Sequence, residues 1–171
     1  MRGVLAYLYE KMSRSCLGLN VDITVRQARP EDIPRMTELL DELFSLESDF
    51  QPDVVKQVKG LSMLVADSSG SSLVLVAVAR GGEVIGMATV QTLISTAEGG
   101  QVGFVEDVVV DSRYRCRGVG TMLLARIIDW SRDNKFTRLQ LLADGTNHVA
   151  ADFYRSRGLN ATSLNCMRIM L

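Results

Sequence analysis

The chain has 171 residues, 47% apolar and 23% charged, which suits one domain with a buried core, or one domain with a short appendage. A formal net charge of −1 gives no overall basic field for nucleic acid, and no apolar run reaches the roughly 18–20 residues needed to cross a bilayer. Three cysteines far apart in sequence (Cys16, Cys116, Cys166) make neither a disulfide framework nor a zinc pair, and a single histidine, His148, excludes sites that need several, so the expectation is a cytoplasmic protein with reduced thiols and no metal.

Residues 1–20 carry a short apolar run, GVLAYLY, that ends at Glu10–Lys11 without a cleavage signal. They read as an appendage, with the domain proper over 21–171. Val21–Arg26 alternates as a strand. From Ile33 the apolar residues Met36, Leu39, Leu40, Leu43 and Phe44 follow helical spacing, and Pro30 with Glu31 and Asp32 suits the helix start. The acidic stretch Phe44–Asp53 is irregular, and Pro52 opens a weaker helix to about Lys59. Leu73–Ala79 reads as a strand, Gly81–Gly82 as a hairpin turn, and Glu83–Leu93 as the return strand. Gly86 within it marks a bulge or a close approach. Val102–Val110 is the next strand of an antiparallel meander.

The period then changes. Val119, Met122, Leu123, Ile127 and Trp130 mark a helix to about Asn134, Arg138–Ala143 is a buried strand, and Asn147–Arg157 is a short helix stopped by Gly158. Ser163–Leu171 reads as a last strand. The order predicts a mixed α/β (α+β) fold, a largely antiparallel sheet with about four helices.

Between strand and helix stands RCRGVG, residues 115–120. The first four N–H groups of a helix have no partner inside it, and with the helix dipole they form an anion site. Gly118 and Gly120 permit close approach and unusual dihedrals, and Arg115 and Arg117 add positive charge. GxxxxGK[ST] and GxGxxG are both absent, so the commoner nucleotide loops are excluded. Taken alone, the hexapeptide also fits a tight joint with solvated arginines.

In context, VEDVVVDSRYRCRGVGTMLL followed by NHVAADFYRSRGL resembles the GNAT superfamily of acyl-CoA-dependent N-acyltransferases. Arg115, Gly118 and Gly120 fill the positions of its R/Q-x-x-G-x-G/A motif, and the likeness spans about Val21–Leu171. Cys116 departs from the glycine that many members carry. The resemblance implies a six- to seven-stranded sheet splayed between its fourth and fifth strands. It implies acetyl-CoA as co-substrate, with the pantetheine arm on the backbone of Val108, Val109 and Val110. The amides of Arg115, Cys116, Arg117, Gly118, Val119, Gly120 and Thr121 would cradle the diphosphate.

By the same resemblance Asn147 contacts the coenzyme, or else only caps a helix. Tyr154 is the general acid, and Glu106 or a water is the base. Strand alternation puts Glu106 on one face with Val108 and Asp107 on the other. Glu47, Asp49 and Asp53 in the Phe44–Asp53 loop either attract a cationic amine or form a solvated acidic loop. The implied reaction is direct acetyl transfer to a primary amine of a small molecule or a peptide, with no nucleic acid, membrane or metal involved. Relatives are often dimers, which allows a homodimer here. The competing readings are a non-catalytic acyl-CoA sensor and a protein-modifying acetyltransferase.

Overall fold

The computed structural model describes residues 22–46 and 49–170. The expected appendage, residues 1–20, lies outside the described residues. Five strands, β1 (Ile23–Gln27), β2 (Ser72–Ala79), β3 (Val84–Ser95), β4 (Gly100–Val110) and β5 (Leu139–Leu141), form one sheet in sequence order. The first four pair antiparallel, and β5 lies parallel to β4. Four α-helices flank them: α1 (Ile33–Phe44), α2 (Val54–Val65), α3 (Val119–Asp133) and α4 (His148–Arg155).

The sheet is covered on both faces. On one, Val119, Leu123 and Ile127 of α3 pack against Leu75, Ile85, Val90 and Val105. On the other, Met36, Leu39 and Leu40 of α1 and Leu61 of α2 pack against Val74, Val76, Met87 and Val109. The α1 stripe is the one its apolar spacing predicts, and Met36 and Leu39 are fully buried. Gly81 and Gly82 both hold positive φ, 106° and 93°, as a two-residue hairpin turn requires. At Gly86 both expectations hold. The β2–β3 register slips beside it, and a Cβ there would sit 3.0 Å from the Val109 carbonyl oxygen and 3.3 Å from Val119 Cγ1.

Three elements depart from the reading. Helix α2 continues past Lys59, through Gly60, to Val65, because Leu61 and Leu64 extend its inward stripe. Strand β5 shrinks to three residues. The last strand does not form: the chain from Leu159 to Met170 is irregular, and Leu164, Met167, Ile169 and Met170 are exposed. None of that stretch joins the free edge of β5, so among the described residues the sheet has five strands rather than six or seven.

Candidate active site

Strand β4 changes partner along its length. Its pairing with β5 covers only Gly103–Val105. Beyond that point β4 runs on to Val110 with no strand of the described residues on that edge. This is the divergence expected between the fourth and fifth strands. At the same place the β3–β4 register jumps from Val90↔Val105 to Ala88↔Val108, so Thr89 faces both Glu106 and Asp107. This is a β-bulge, which re-aims side chains and backbone alike. The buried Thr89 hydroxyl pins it, accepting from the Asp107 N–H at 3.2 Å and donating to Asp107 Oδ2 at 3.1 Å.

The bulge corrects the expected alternation. Val108 packs with the α3 layer and Val109 with the α1–α2 layer, while Glu106 and Asp107 together line the cleft on the α1–α2 side. Asp107, passed over in the sequence, therefore stands beside Glu106. The bulge also sets where backbone groups point. The Asp111 N–H donates to the Ile85 carbonyl at 3.0 Å. By alternation the amide of Val109 turns toward β3, and those of Val108 and Val110 turn toward the open edge. Arg115 Nε already donates to the Val110 carbonyl at 3.0 Å.

The joint that follows is held from beneath. Asp111, 3% exposed, accepts from the Arg113 N–H at 2.9 Å and from Arg113 Nη2 at 2.7 Å, and pairs with Arg35 of α1. The Arg113 contacts, the largest cause, and Arg35 hold its carboxyl down at about 2. Arg113 also meets Glu83 at 2.6 Å, and the guanidinium groups of Arg113 and Arg117 lie over the Tyr114 ring. Glu83 accepts from the Tyr114 hydroxyl at 3.0 Å, a bond that lowers its own carboxyl and raises the phenol.

On that base the backbone enters α3 through two left-handed residues, Cys116 at φ 59° and Gly118 at φ 83°. Gly118 is the N-cap, and no side chain caps the helix. The N–H groups of Val119, Gly120 and Thr121 are thus left for an outside acceptor. The intrahelical bonds begin with the Met122 N–H, which donates to the Gly118 carbonyl at 3.0 Å. Successive amides in such a turn form a concave anion site, so the residues present fit a diphosphate. Cys116, where the resemblance led one to expect glycine, has a backbone in the conformation that glycine favours.

The side chains of the motif behave differently from its backbone. Arg115 turns away from the cradle to Glu42 of α1, at 2.6 Å. Arg117 is exposed over Tyr114. Gly120 abuts Phe153 of α4, where a Cβ would meet the ring at 3.4 Å. Two residues unmarked in the sequence complete this side. Arg157, just past α4, donates from Nη2 to Thr121 Oγ1 at 2.7 Å, and its guanidinium lies over the Phe153 ring. Its Nε is buried without a hydrogen-bond partner among the described residues, so a cation sits close behind the α3 amides.

Helix α4 carries the remaining candidates. Asn147 Oδ1 accepts from the Ala150 N–H at 3.0 Å, so its side chain caps the helix. Tyr154 is half-buried, with its ring edge-on to Phe153. His148 is exposed at the helix start.

Opposite the cradle, between α1, α2 and β4, lies a cleft of about 280 Å³. Leu40, Phe44, Leu61 and Leu64 form its apolar wall, and Glu106 and Asp107 its acidic side. Of the three loop acids, Glu47 lies outside the described residues and Asp49 is exposed. Asp53 lines the cleft but caps α2, and the Lys56 N–H, with the Lys56 ammonium at 3.2 Å, holds its carboxyl below the ordinary range. Among the described residues no helix is long and apolar enough to cross a membrane, and no group of three or more His, Cys, Asp or Glu is placed to hold a metal ion.

A sheet that parts beside an uncapped, glycine-bearing helix N-terminus defines an acyl-coenzyme A transferase architecture. The model of the Acetyltransferase (GNAT) family matches residues 33–159, and the chain belongs to that family. It is an acyl-CoA-dependent N-acyltransferase of the acetyltransferase kind, and members of the family use acetyl-CoA as co-substrate. It is 33% identical over 113 residues to an aminoglycoside N(6')-acetyltransferase type 1 of Stenotrophomonas maltophilia, covering 64% of this chain and 68% of the relative. The solved structure of a Trypanosoma brucei acetyltransferase superposes with TM-score 0.68 at 25% identity, over 88% of this chain and all of that one. A Bacillus halodurans protein described as a transcriptional regulator shares the fold, with TM-score 0.75 at 22% identity, over 87% of this chain and 99% of its own.

Proposed function

We propose that this chain moves an acetyl group from acetyl-CoA directly to the primary amine of a small molecule. The observation that carries this reading is the uncapped α3 N-terminus, which opens beside the point where β5 stops pairing with β4. The N–H groups of Arg117 through Thr121 would hold the diphosphate, with Arg157 adding positive charge behind them. The Val110 N–H would hold the pantetheine arm, leaving the Val108 N–H for the thioester carbonyl. When bound, acetyl-CoA supplies an acyl group already activated as a thioester.

The remaining work falls to side chains. An alkylamine has a pKa of about 10.4, so at neutral pH it arrives almost wholly as the ammonium and must lose a proton before it attacks. Glu106, one residue past the last β4–β5 pair, receives that proton directly or through a water. The Val108 N–H polarises the carbonyl under attack. Tyr154 donates its proton to the departing sulfur, because a phenol with a pKa of about 10 stays protonated at neutral pH, and it regains one as the nitrogen sheds its second proton to become the amide. The modest cleft favours a small acceptor over a protein surface.

The test pairs a calorimetric titration of coenzyme A with a thiol-release assay of acetyl-CoA against polyamines, amino acids, aminoglycosides and peptides. Tyr154→Phe should lower kcat by roughly 10²-fold or more while the coenzyme A dissociation constant stays within about twofold. Coenzyme A binding without thiol release from any acceptor would leave a sensor instead. A preference for peptides over every small amine would make the protein a modifying enzyme.

A further inference from the structure

Gln57 sits on the inward stripe of α2, four residues before Leu61, where an apolar side chain would pack without cost. It is 6% exposed, and neither its Oε1 nor its Nε2 has a hydrogen-bond partner among the described residues. A buried amide in that state is a standing penalty that any apolar replacement would remove. Gln57 also lines the cleft that carries Glu106. Both amide atoms lie beneath the cleft surface, so a rotation of the whole side chain is what presents the oxygen or the NH₂ group to a ligand there.

The surroundings restrict what that ligand is. Among the described residues, charge on the cleft comes from Glu106, Asp107 and Asp53, and from Lys56, which is paired with Asp53 at 3.2 Å. At the rim the Arg168 guanidinium lies over Phe50. The balance disfavours an anionic acceptor and suits a cationic one. At about 280 Å³ the cleft lies at the low end of ligand pockets and admits a compact body. Of the two uncharged polar side chains in its lining, Gln51 is exposed and Gln57 is buried among Leu40, Phe44, Leu61 and Leu64 of the same lining, so Gln57 is the contact that selects an uncharged polar group.

We propose that Gln57 determines acceptor specificity by hydrogen-bonding an uncharged polar group, a hydroxyl or an amide, on the same compact molecule whose amine is held at Glu106. This rests on the acetyl-transfer reading. The acceptor class is a small amino alcohol or amino amide, without phosphate or carboxylate.

Matched pairs of amines test it: cyclohexylamine against the 2-, 3- and 4-aminocyclohexanols, and butylamine against 3-aminopropan-1-ol, each with acetyl-CoA. The wild-type chain should favour at least one hydroxylated partner by tenfold or more in kcat/KM. Gln57→Leu should bring that ratio to within about twofold of unity, leave the coenzyme A dissociation constant unchanged, and unfold at equal or higher urea. A merely structural Gln57 would instead let the variant lose rate equally on both members of each pair. Turnover with no hydroxyl preference, or a preference that survives Gln57→Leu, overturns the proposal and leaves acetyl transfer standing. Absence of thiol release from every amine, with coenzyme A still bound, overturns both.

Discussion

At Cys116 the backbone holds φ at 59°, which crowds a Cβ against the following carbonyl and costs roughly 1–2 kcal/mol in a non-glycine residue. Glycine would relieve that strain while losing about 0.5–1 kcal/mol through the greater freedom of the unfolded chain. Cys116→Gly should therefore raise stability by up to about 1 kcal/mol, read as a higher urea midpoint with an unchanged slope. It should keep coenzyme A affinity, because the substitution leaves the backbone N–H groups of Arg117 through Thr121 in place. A lower midpoint would show that the thiol makes a contact worth more than the strain. The residue pattern alone fitted two readings, an anion site or a tight joint with solvated arginines, and it was the longer resemblance that favoured the first. It did not carry the direction of each side chain. Arg115 looks like a phosphate ligand in sequence and is spent on Glu42 and the Val110 carbonyl, while Arg157, at the far end of the next helix, stands behind the cradle. Contacts between residues 36 positions apart leave no local signature.

At the scale of elements, periodicity told most where one face is buried and the partner is already in place. The α1 stripe and the Gly81–Gly82 hairpin are of that kind. Periodicity could not find the bulge at Thr89, because one extra residue leaves EDVVV looking like any strand, yet that residue brings Glu106 and Asp107 to the same cleft. It also failed where a partner is missing. Leu164–Met170 has the composition of a strand and does not pair with the free edge of β5. Gln57 escaped notice because a polar residue on a helix reads as surface, and only the packing of α2 shows it buried. The opening between β4 and β5 depends on a small residue too. A Cβ on Gly103 would lie 2.4 Å from Leu139 Cδ2 and 3.2 Å from both Phe136 Cδ2 and Val90 Cγ2. The leucine methyl can swing away, but the other two close the alternatives. Gly103→Ala should cost about 1–3 kcal/mol and loosen the three-residue β5 pairing. Hydrogen exchange should then show faster loss of the Gly103 amide, which donates to Arg138 at 2.9 Å. Unchanged protection would mean that β5 is held by something other than its seat on Gly103.

Over the whole molecule, one buried carboxylate ties together parts that the sheet alone does not. Asp111 joins α1 through Arg35 and the joint before α3 through Arg113, and Arg113 reaches Glu83 in the β2–β3 hairpin. Its carboxyl titrates near 2 in the folded chain, against an ordinary aspartate value of about 3.9 when unfolded. A depressed folded value contributes stability that is complete above the unfolded pKa and disappears as pH falls from about 4 to about 2. Its size, from the difference between the two values, is about 2 kcal/mol. Asp111→Asn removes this linkage and one of the two carboxylates paired with Arg35, Glu38 being the other; Arg35 is 28% exposed, so the loss at neutral pH falls short of the roughly 3 kcal/mol of a fully buried pair. Other carboxylates, Asp32 among them, are held low by their own partners and also titrate in acid, so the informative quantity is the difference between variant and wild type. Urea midpoints at pH 7, 5, 4, 3 and 2 should show a gap that is constant down to about pH 4 and narrows steadily below it. Parallel curves through pH 2 would mean that the Asp111 carboxyl titrates alike in the folded and the unfolded chain, so that Arg113 and Arg35 do not hold it low.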